Sequence, residues 1–359
     1  MNLQEAIRRI APPAENARAA CRTRWNRLGK PLYGLGELEE YLVRIAGMMR
    51  SERIDIRKRA LVIFCADNGV AAEGVSQAPQ EVTAVVAGNF LCGHSCAAIM
   101  CRRTGTDLFP VDVGMVSDVP GVEKRKCRYG TGNIAAGPAM SDSEALFALE
   151  AGIAKAEELR DAGYRILASG EMGIGNTTTG AAVTSAFLHM DAAEAAGRGA
   201  GLNDEGLARK TAAIRRALAV NRPDPENPVG VLASVGGFDL AALAGFYIGA
   251  AACGLPAVVD GFIASAAALA AVRLAPLTAE YLLPSHVSGE PASEALLCAL
   301  GFGPGPGRIS PVIRAGMHLG EGTGALALFP LLDLACDVYR EMATFEEIAV
   351  EAYEDFTKR

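Results

Sequence analysis

Hydrophobic spacing changes period along the chain, and each change marks a new element. In residues 37–50, Leu38, Tyr41, Leu42, Ile45 and Met48 recur at helical intervals, which predicts that residues 1–50 are largely helical. Behind Arg57-Lys58-Arg59 comes an unbroken apolar run, residues 60–66, that stops at Asp67-Asn68-Gly69. A short apolar run closed by polar turn residues is the mark of a strand buried on both faces. Residues 107–113, 165–169, 232–235, 256–259 and 280–284 repeat the pattern, most of them stopping at Asp or Gly. Helical spacing is predicted between them at 82–100 (one helix or a pair), 143–162, 239–253, 264–272 and 294–300, and the three prolines of 221–228 predict a surface loop.

Strand, polar turn and helix alternate at least four times. That order predicts an α/β fold with a parallel, Rossmann-like sheet covered by helices on both faces. Ligands of such sheets bind beyond the carboxyl ends of the strands, where Asp, Asn, Glu and Gly gather in this chain. Residues 238–271 are apolar enough to imitate a membrane span, but Asp239, Gly254, Pro256 and Asp260 interrupt them, so buried helix, strand and turn are expected; residues 323–334 are too short to span.

Composition narrows the function. Half of the 359 residues are hydrophobic, which argues against disorder, and a net charge of −7 argues against a nucleic-acid binder. Forty glycines with only 6% aromatic residues suit close backbone packing. The N-terminal residues mix Arg with Glu and lack the apolar stretch of a secretory leader, and the nine cysteines are scattered and odd in number, so reduced thiols and a cytoplasmic location are expected. Cys92, Cys96 and Cys101 are spaced poorly for zinc and are expected to be buried helix residues; the four histidines are dispersed, and no metal site is predicted.

Three glycine clusters carry the candidate chemistry. Residues 170–180, Gly-Glu-Met-Gly-Ile-Gly-Asn-Thr-Thr-Thr-Gly, leave a strand and open a helix, where free N–H groups favour an anion such as phosphate; the alternative is a plain helix cap. Gly197-Arg198-Gly199-Ala200-Gly201 is weaker, with Arg198 suited to a phosphate or carboxylate, and Lys210 beyond it reads by residue type as a solvated charge. In Gly320-Glu321-Gly322-Thr323-Gly324 a carboxyl is set on a bare backbone; buried, it would serve as a general base, and exposed it would be a turn residue. Asp239 and Asp260 follow glycine pairs and strand ends, as ligands of ribose hydroxyls, as stabilisers of a developing cation, or as helix caps. No dinucleotide fingerprint, Walker loop or nucleophile elbow is found.

Together with residues 34–39, 67–76, 79–83, 111–114, 133–140, 236–245, 260–262 and 284–291, these clusters resemble the nicotinate-nucleotide:dimethylbenzimidazole phosphoribosyltransferases over nearly the whole chain. The resemblance implies transfer of phosphoribose from nicotinate mononucleotide to an aromatic acceptor base, a step of cobamide lower-ligand synthesis, with no cofactor. It implies Glu321 as general base, and Glu171, Met172, Gly173, Gly175, Asn176 and Thr177 on the nucleotide. Gly199, Lys210, Asp239, Asp260 and Ser288 would border ribose or phosphate, and Ala78, Val86 and Leu319 the acceptor. It further implies a small helical domain from both chain ends (1–55 and 331–359), a large domain at 56–330, and a dimer.

The chain departs from the family pattern at several positions. Asn68 stands where the family usually has His, and Lys30-Pro31-Leu32-Tyr33-Gly34-Leu35-Gly36 replaces its Lys-Pro-Pro-Gly-Ser-Leu-Gly. Ala78 and Val86 stand where benzimidazole-using members often have Ser and Gln, which removes polar partners for a ring nitrogen. The acceptor is therefore open among a benzimidazole, a purine and a phenol. One branch of the family uses phenol and p-cresol as a heterodimer, so the alternative reading is a subunit of such a pair, active or structural.

Overall fold

The apolar runs pair into one parallel sheet in the computed structural model, which describes residues 1–305 and 307–356. Its strands are Arg59–Ala66 (β1), Thr106–Gly114 (β2), Glu123–Lys124 (β3), Ile166–Met172 (β4), Ala257–Val259 (β5) and Leu282–Pro284 (β6). Their order is β3-β2-β1-β4-β5-β6, and every pairing is parallel. The direction of winding reverses between β1 and β4, and such a switch point opens a crevice at the carboxyl ends of the strands. Polar residues gather at the carboxyl ends of β1, β4, β5 and β6: Asp67-Asn68, Glu171, Asp260 and Ser285-His286.

Close helix packing accounts for the composition. Helices Asp142–Asp161 and Phe238–Ala252 cross where Gly152 meets the Ala242 carbonyl and Gly245 meets that of Leu149; a Cβ at either glycine would overlap backbone. Phe238–Ala252 and Phe262–Leu274 are almost wholly buried, so the span-like segment is core. Residues 81–104 are also apolar, and one third of their span-like window is buried. Gly93, at φ +75°, and the Ser95 cap divide them into helices Glu81–Cys92 and Cys96–Thr104, of 12 and 9 residues. Each is short of the ~20 residues a bilayer needs.

Three expectations are corrected. Residues 232–235 are helical, within Pro228–Val235: the Asn227 side chain accepts from Gly230 N at 3.1 Å and Pro228 occupies the first turn, strong start signals that override an ambiguous apolar tetrad. The edge strand β3 carries no apolar signal, because its two residues are charged, and it adds to the strands expected. Cys92 and Cys96 are exposed, and only Cys101 of that trio is buried.

The two ends of the chain meet. Helix Glu15–Arg27 lies against the end of helix Thr323–Glu341, with the Trp25 and Tyr339 rings 5.0 Å apart. Beyond them Phe345 N donates to Arg27 O at 2.9 Å. Helix Thr323–Glu341 runs unbroken from the crevice to this contact.

Candidate active site

A cavity of about 790 Å³ opens over the carboxyl ends of the sheet. Twelve of the residues expected at the site line it: Ala78, Val86, Glu171, Met172, Gly173, Asn176, Thr177, Gly199, Asp260, Ser288, Leu319 and Glu321. Gly175, Lys210 and Asp239 do not. Gly175, at φ +95°, makes the turn into helix Asn176–Leu188, and Lys210 and Asp239 are fully buried behind the wall. One wall is largely apolar, built from Ala78, Val82, Val86, Cys96, Met100 and Leu319. The opposite wall is polar, from the segments that follow β4 and β6.

Glu321 sits in a strained loop. Gly320, Glu321 and Gly322 are all left-handed, at φ +83°, +58° and +75°, and a non-glycine residue there is sterically costly. Two features over-determine the conformation. The Asp260 carboxylate accepts from Gly322 N (3.1 Å), Gly324 N (2.7 Å) and Ala325 N (3.2 Å), and so caps helix Thr323–Glu341 from another strand end. Gly170 on β4 lets the loop lie on the sheet, since a Cβ there would come within 2.7 Å of Glu321 C and Gly322 N. Glu321 Oε2 is buried without a hydrogen-bond partner. Burial raises the pKa of this carboxyl, the Ala97 amide opposes the rise, and the Asp260 charge adds to it.

The sequence offers Asp260 as a ribose ligand or a cap. Its oxygens hold the loop of the candidate base, although it also borders the cavity. Burial raises its pKa while the charge of His286 and the three amides lower it.

Glu171 and Asp239 share one donor. The Asn176 amide donates to Glu171 Oε2 and, at 3.1 Å, to Asp239 Oδ2. Burial, reinforced by the Asp239 charge, pushes Glu171 up to about 8, and burial pushes Asp239 up to about 6 against the Asn176 bond. A carboxyl whose pKa is raised by folding binds more protons folded than unfolded. Its contribution is therefore fully present below the ordinary carboxyl range and is lost as pH rises through the folded value. We expect the thermal stability of the chain to fall between pH 5 and 9. Glu171→Gln, which keeps the oxygen that faces Asn176, should flatten that fall and leave the variant more stable at pH 9 by a few kcal/mol. Melting curves across the range check this, and equal slopes for both proteins would refute it.

Lys210 corrects the reading from residue type alone: it is a buried cation, donating to Thr177 Oγ1 at 3.0 Å and Gly197 O at 2.9 Å, and burial lowers its pKa to about 8. Arg198 turns away instead, to Asp204 and the Leu202 carbonyl. His286, Glu290, Cys96, Met100, Met317 and His318 also line the cavity, and the sequence reading does not single them out as site residues. His286 and Glu290 follow the strand β6, so their place at a strand's carboxyl end was the available signal. Among the described residues no group of three or more His, Cys, Asp and Glu is disposed to hold a metal ion.

Comparison with known proteins gives the family. A family model described as a phosphoribosyltransferase matches residues 10–350. The chain belongs to this phosphoribosyltransferase family. It is 46% identical over 333 residues to the nicotinate-nucleotide–dimethylbenzimidazole phosphoribosyltransferase of Acetivibrio thermocellus, covering 92% of this chain and 93% of that one. It is 43% identical over 355 residues to the protein of that name in Ruminiclostridium cellulolyticum, covering 98% and 99%. Among solved structures it matches CobT from Thermus thermophilus with a TM-score of 0.87 and 42% identity, over 94% of this chain and all of that one. The α/β fold and the enzyme class expected from the sequence are those of this phosphoribosyltransferase family.

Proposed function

We propose that the chain transfers phosphoribose from nicotinate mononucleotide to a benzimidazole-type base, releasing nicotinate and forming an α-ribazole-phosphate-type nucleotide. The observation that carries this reading is Glu321, a carboxylate with one unpartnered buried oxygen, held between an apolar wall and a polar one. A flat aromatic acceptor suits the apolar wall, whose Cys96 and Met100 sulfurs favour ring contacts. The polar wall suits the nucleotide. Glu321 takes the proton from the acceptor's ring N–H as the acceptor's other ring nitrogen attacks C1′ and the bond from C1′ to nicotinate breaks. The cationic character that grows on the ribose as nicotinate leaves is met by Asp260, which borders the cavity. Lys210 supports the phosphate end from behind Thr177 and Gly199.

The reading includes a small helical domain from residues 1–55 and 331–359 against a large one from 56–330, supported by the meeting of the chain ends. It also includes a dimer. Val85, Leu91 and Ile99 expose 61%, 45% and 51% of their surface on the helices beside the acceptor wall, and a second copy would cover them. Sedimentation as a monomer at micromolar concentration would count against that. Nine free thiols suit the reducing cytoplasm.

The test supplies purified chain with nicotinate mononucleotide and, separately, dimethylbenzimidazole, adenine, phenol and p-cresol, and follows nicotinate by mass spectrometry. Release with dimethylbenzimidazole is expected. Release with the phenols alone would move the chain to the phenolic branch, which the apolar Ala78 and Val86 make the second reading. No release from folded protein would refute the single-chain activity.

A further inference from the structure

Glu290 lies in the polar wall, 9% exposed, and has no part in the chemistry above. Its Oε1 accepts from Gly199 N at 3.1 Å, and its own N–H donates to Ser288 Oγ at 3.4 Å. Its Oε2 is buried with no hydrogen-bond partner and packs so closely on Gly197 that a Cβ there would overlap it. A buried carboxylate oxygen left in that condition is costly.

What surrounds this carboxylate is the equipment of an anion site. Gly199 is left-handed, at φ +51°, and turns its N–H inward. A Cβ built on Gly199 would lie 2.9 Å from Thr177 Oγ1 and 3.6 Å from Lys210 Nζ, so the hydroxyl and the ammonium stand beside that N–H. Lys210 itself is bonded only to neutral oxygens among the described residues, and Glu290 is the carboxylate that acts on its charge. A backbone N–H, a buried ammonium and the hydroxyl of Thr177 thus stand beside an acid of the protein's own, with Ser288 Oγ at that residue's backbone N–H.

We propose that Glu290 competes with the substrate's phosphoryl group for the cradle formed by Gly199, Thr177, Lys210 and Ser288, so that nucleotide binding requires its carboxylate to be displaced. The inference rests on the reading that a phosphorylated nucleotide binds at this wall. A phosphoryl group offers three acceptor oxygens where the carboxylate satisfies one N–H, and the displaced side chain has the cavity to move into. Glu290 therefore sets how tightly the nucleotide is held and limits capture of other small anions.

The experiment compares the full chain with Glu290→Gln, which keeps an oxygen for Gly199 N–H and removes only the charge. Binding of inorganic phosphate is measured by calorimetry, without turnover. We expect phosphate to bind the variant about tenfold more tightly, as loss of one like charge at close range implies. KM for nicotinate mononucleotide should fall with it, and KM for the acceptor should stay unchanged. Equal or weaker phosphate binding by the folded variant would overturn the proposal and leave Glu290 as a latch of the 197–201 loop. Should Glu290→Gln not fold, Glu290→Ala gives the same reading, since a latch would lose phosphate affinity on truncation and a competitor would gain it. Nicotinate release by the unaltered chain tests the underlying reading separately: its failure leaves the phosphate comparison standing as a statement about an anion site.

Discussion

Glu321→Gln should lower the rate of nicotinate release by about 10²- to 10⁴-fold, the usual contribution of a positioned general base, while the protein melts no lower than before. The second half of that expectation follows from burial. The native carboxylate has an oxygen without a partner, and a neutral amide of the same shape removes a desolvated charge. The pH dependence gives an independent reading. A base must be unprotonated to act, and burial raises the Glu321 pKa above the ordinary glutamate range. The rate of the unaltered enzyme should climb through that raised value as pH increases, and the climb should be missing from the variant. Turnover close to that of the parent would refute the role.

The second large effect belongs to a residue that acts through Glu321. Asp260→Asn retains one acceptor oxygen and turns an amino group toward N–H groups that the second oxygen had satisfied. Hydrogen bonds to a charged group are worth about 1.5–3 kcal/mol each, so a loss of roughly that size is expected in stability. Turnover should fall by about 10²-fold, because misplacing a reacting group by an ångström has that cost. Stability and rate could fall together for trivial reasons, so the pH profile is the deciding measurement. The Asp260 charge helps to raise the Glu321 pKa, and its removal should shift the rising limb of the rate toward lower pH. A limb that stays in place would reduce Asp260 to a structural cap.

Much of this was legible in the chain, and the reason is specific. Strands buried on both faces are written as continuous apolar runs, so β1, β2 and β4 were readable, and their polar stops pointed to the sheet edge where the cavity lies. The glycines of 170–175 and 320–324 were readable as places of close backbone approach. Residues whose meaning depends on distant partners were not readable. Lys210 is a surface charge by type and a buried cation by position, because Thr177 and Gly197 receive it from other segments. Asp239 has the look of a ligand and stands one layer back, joined to Glu171 through Asn176. Cys96 belongs to the core by its spacing, but the break at Gly93 restarts the helix and turns it toward the cavity. Glu290 follows the strand β6, but its contact with Gly199 comes from a segment 91 residues away.

The capping of one helix by an aspartate from another strand has a consequence for biosynthesis. Asp260 anchors amides that follow it by 62 to 65 residues. A ribosome adding about 5–20 residues each second therefore carries β1, β4 and β5 for some seconds before the segment that covers Gly170 emerges. During that interval the nascent chain has a sheet edge and no base, and it is inert toward its substrates. Fragments that stop before residue 321 remain in that condition, with apolar surface left open for chaperones and proteases to find.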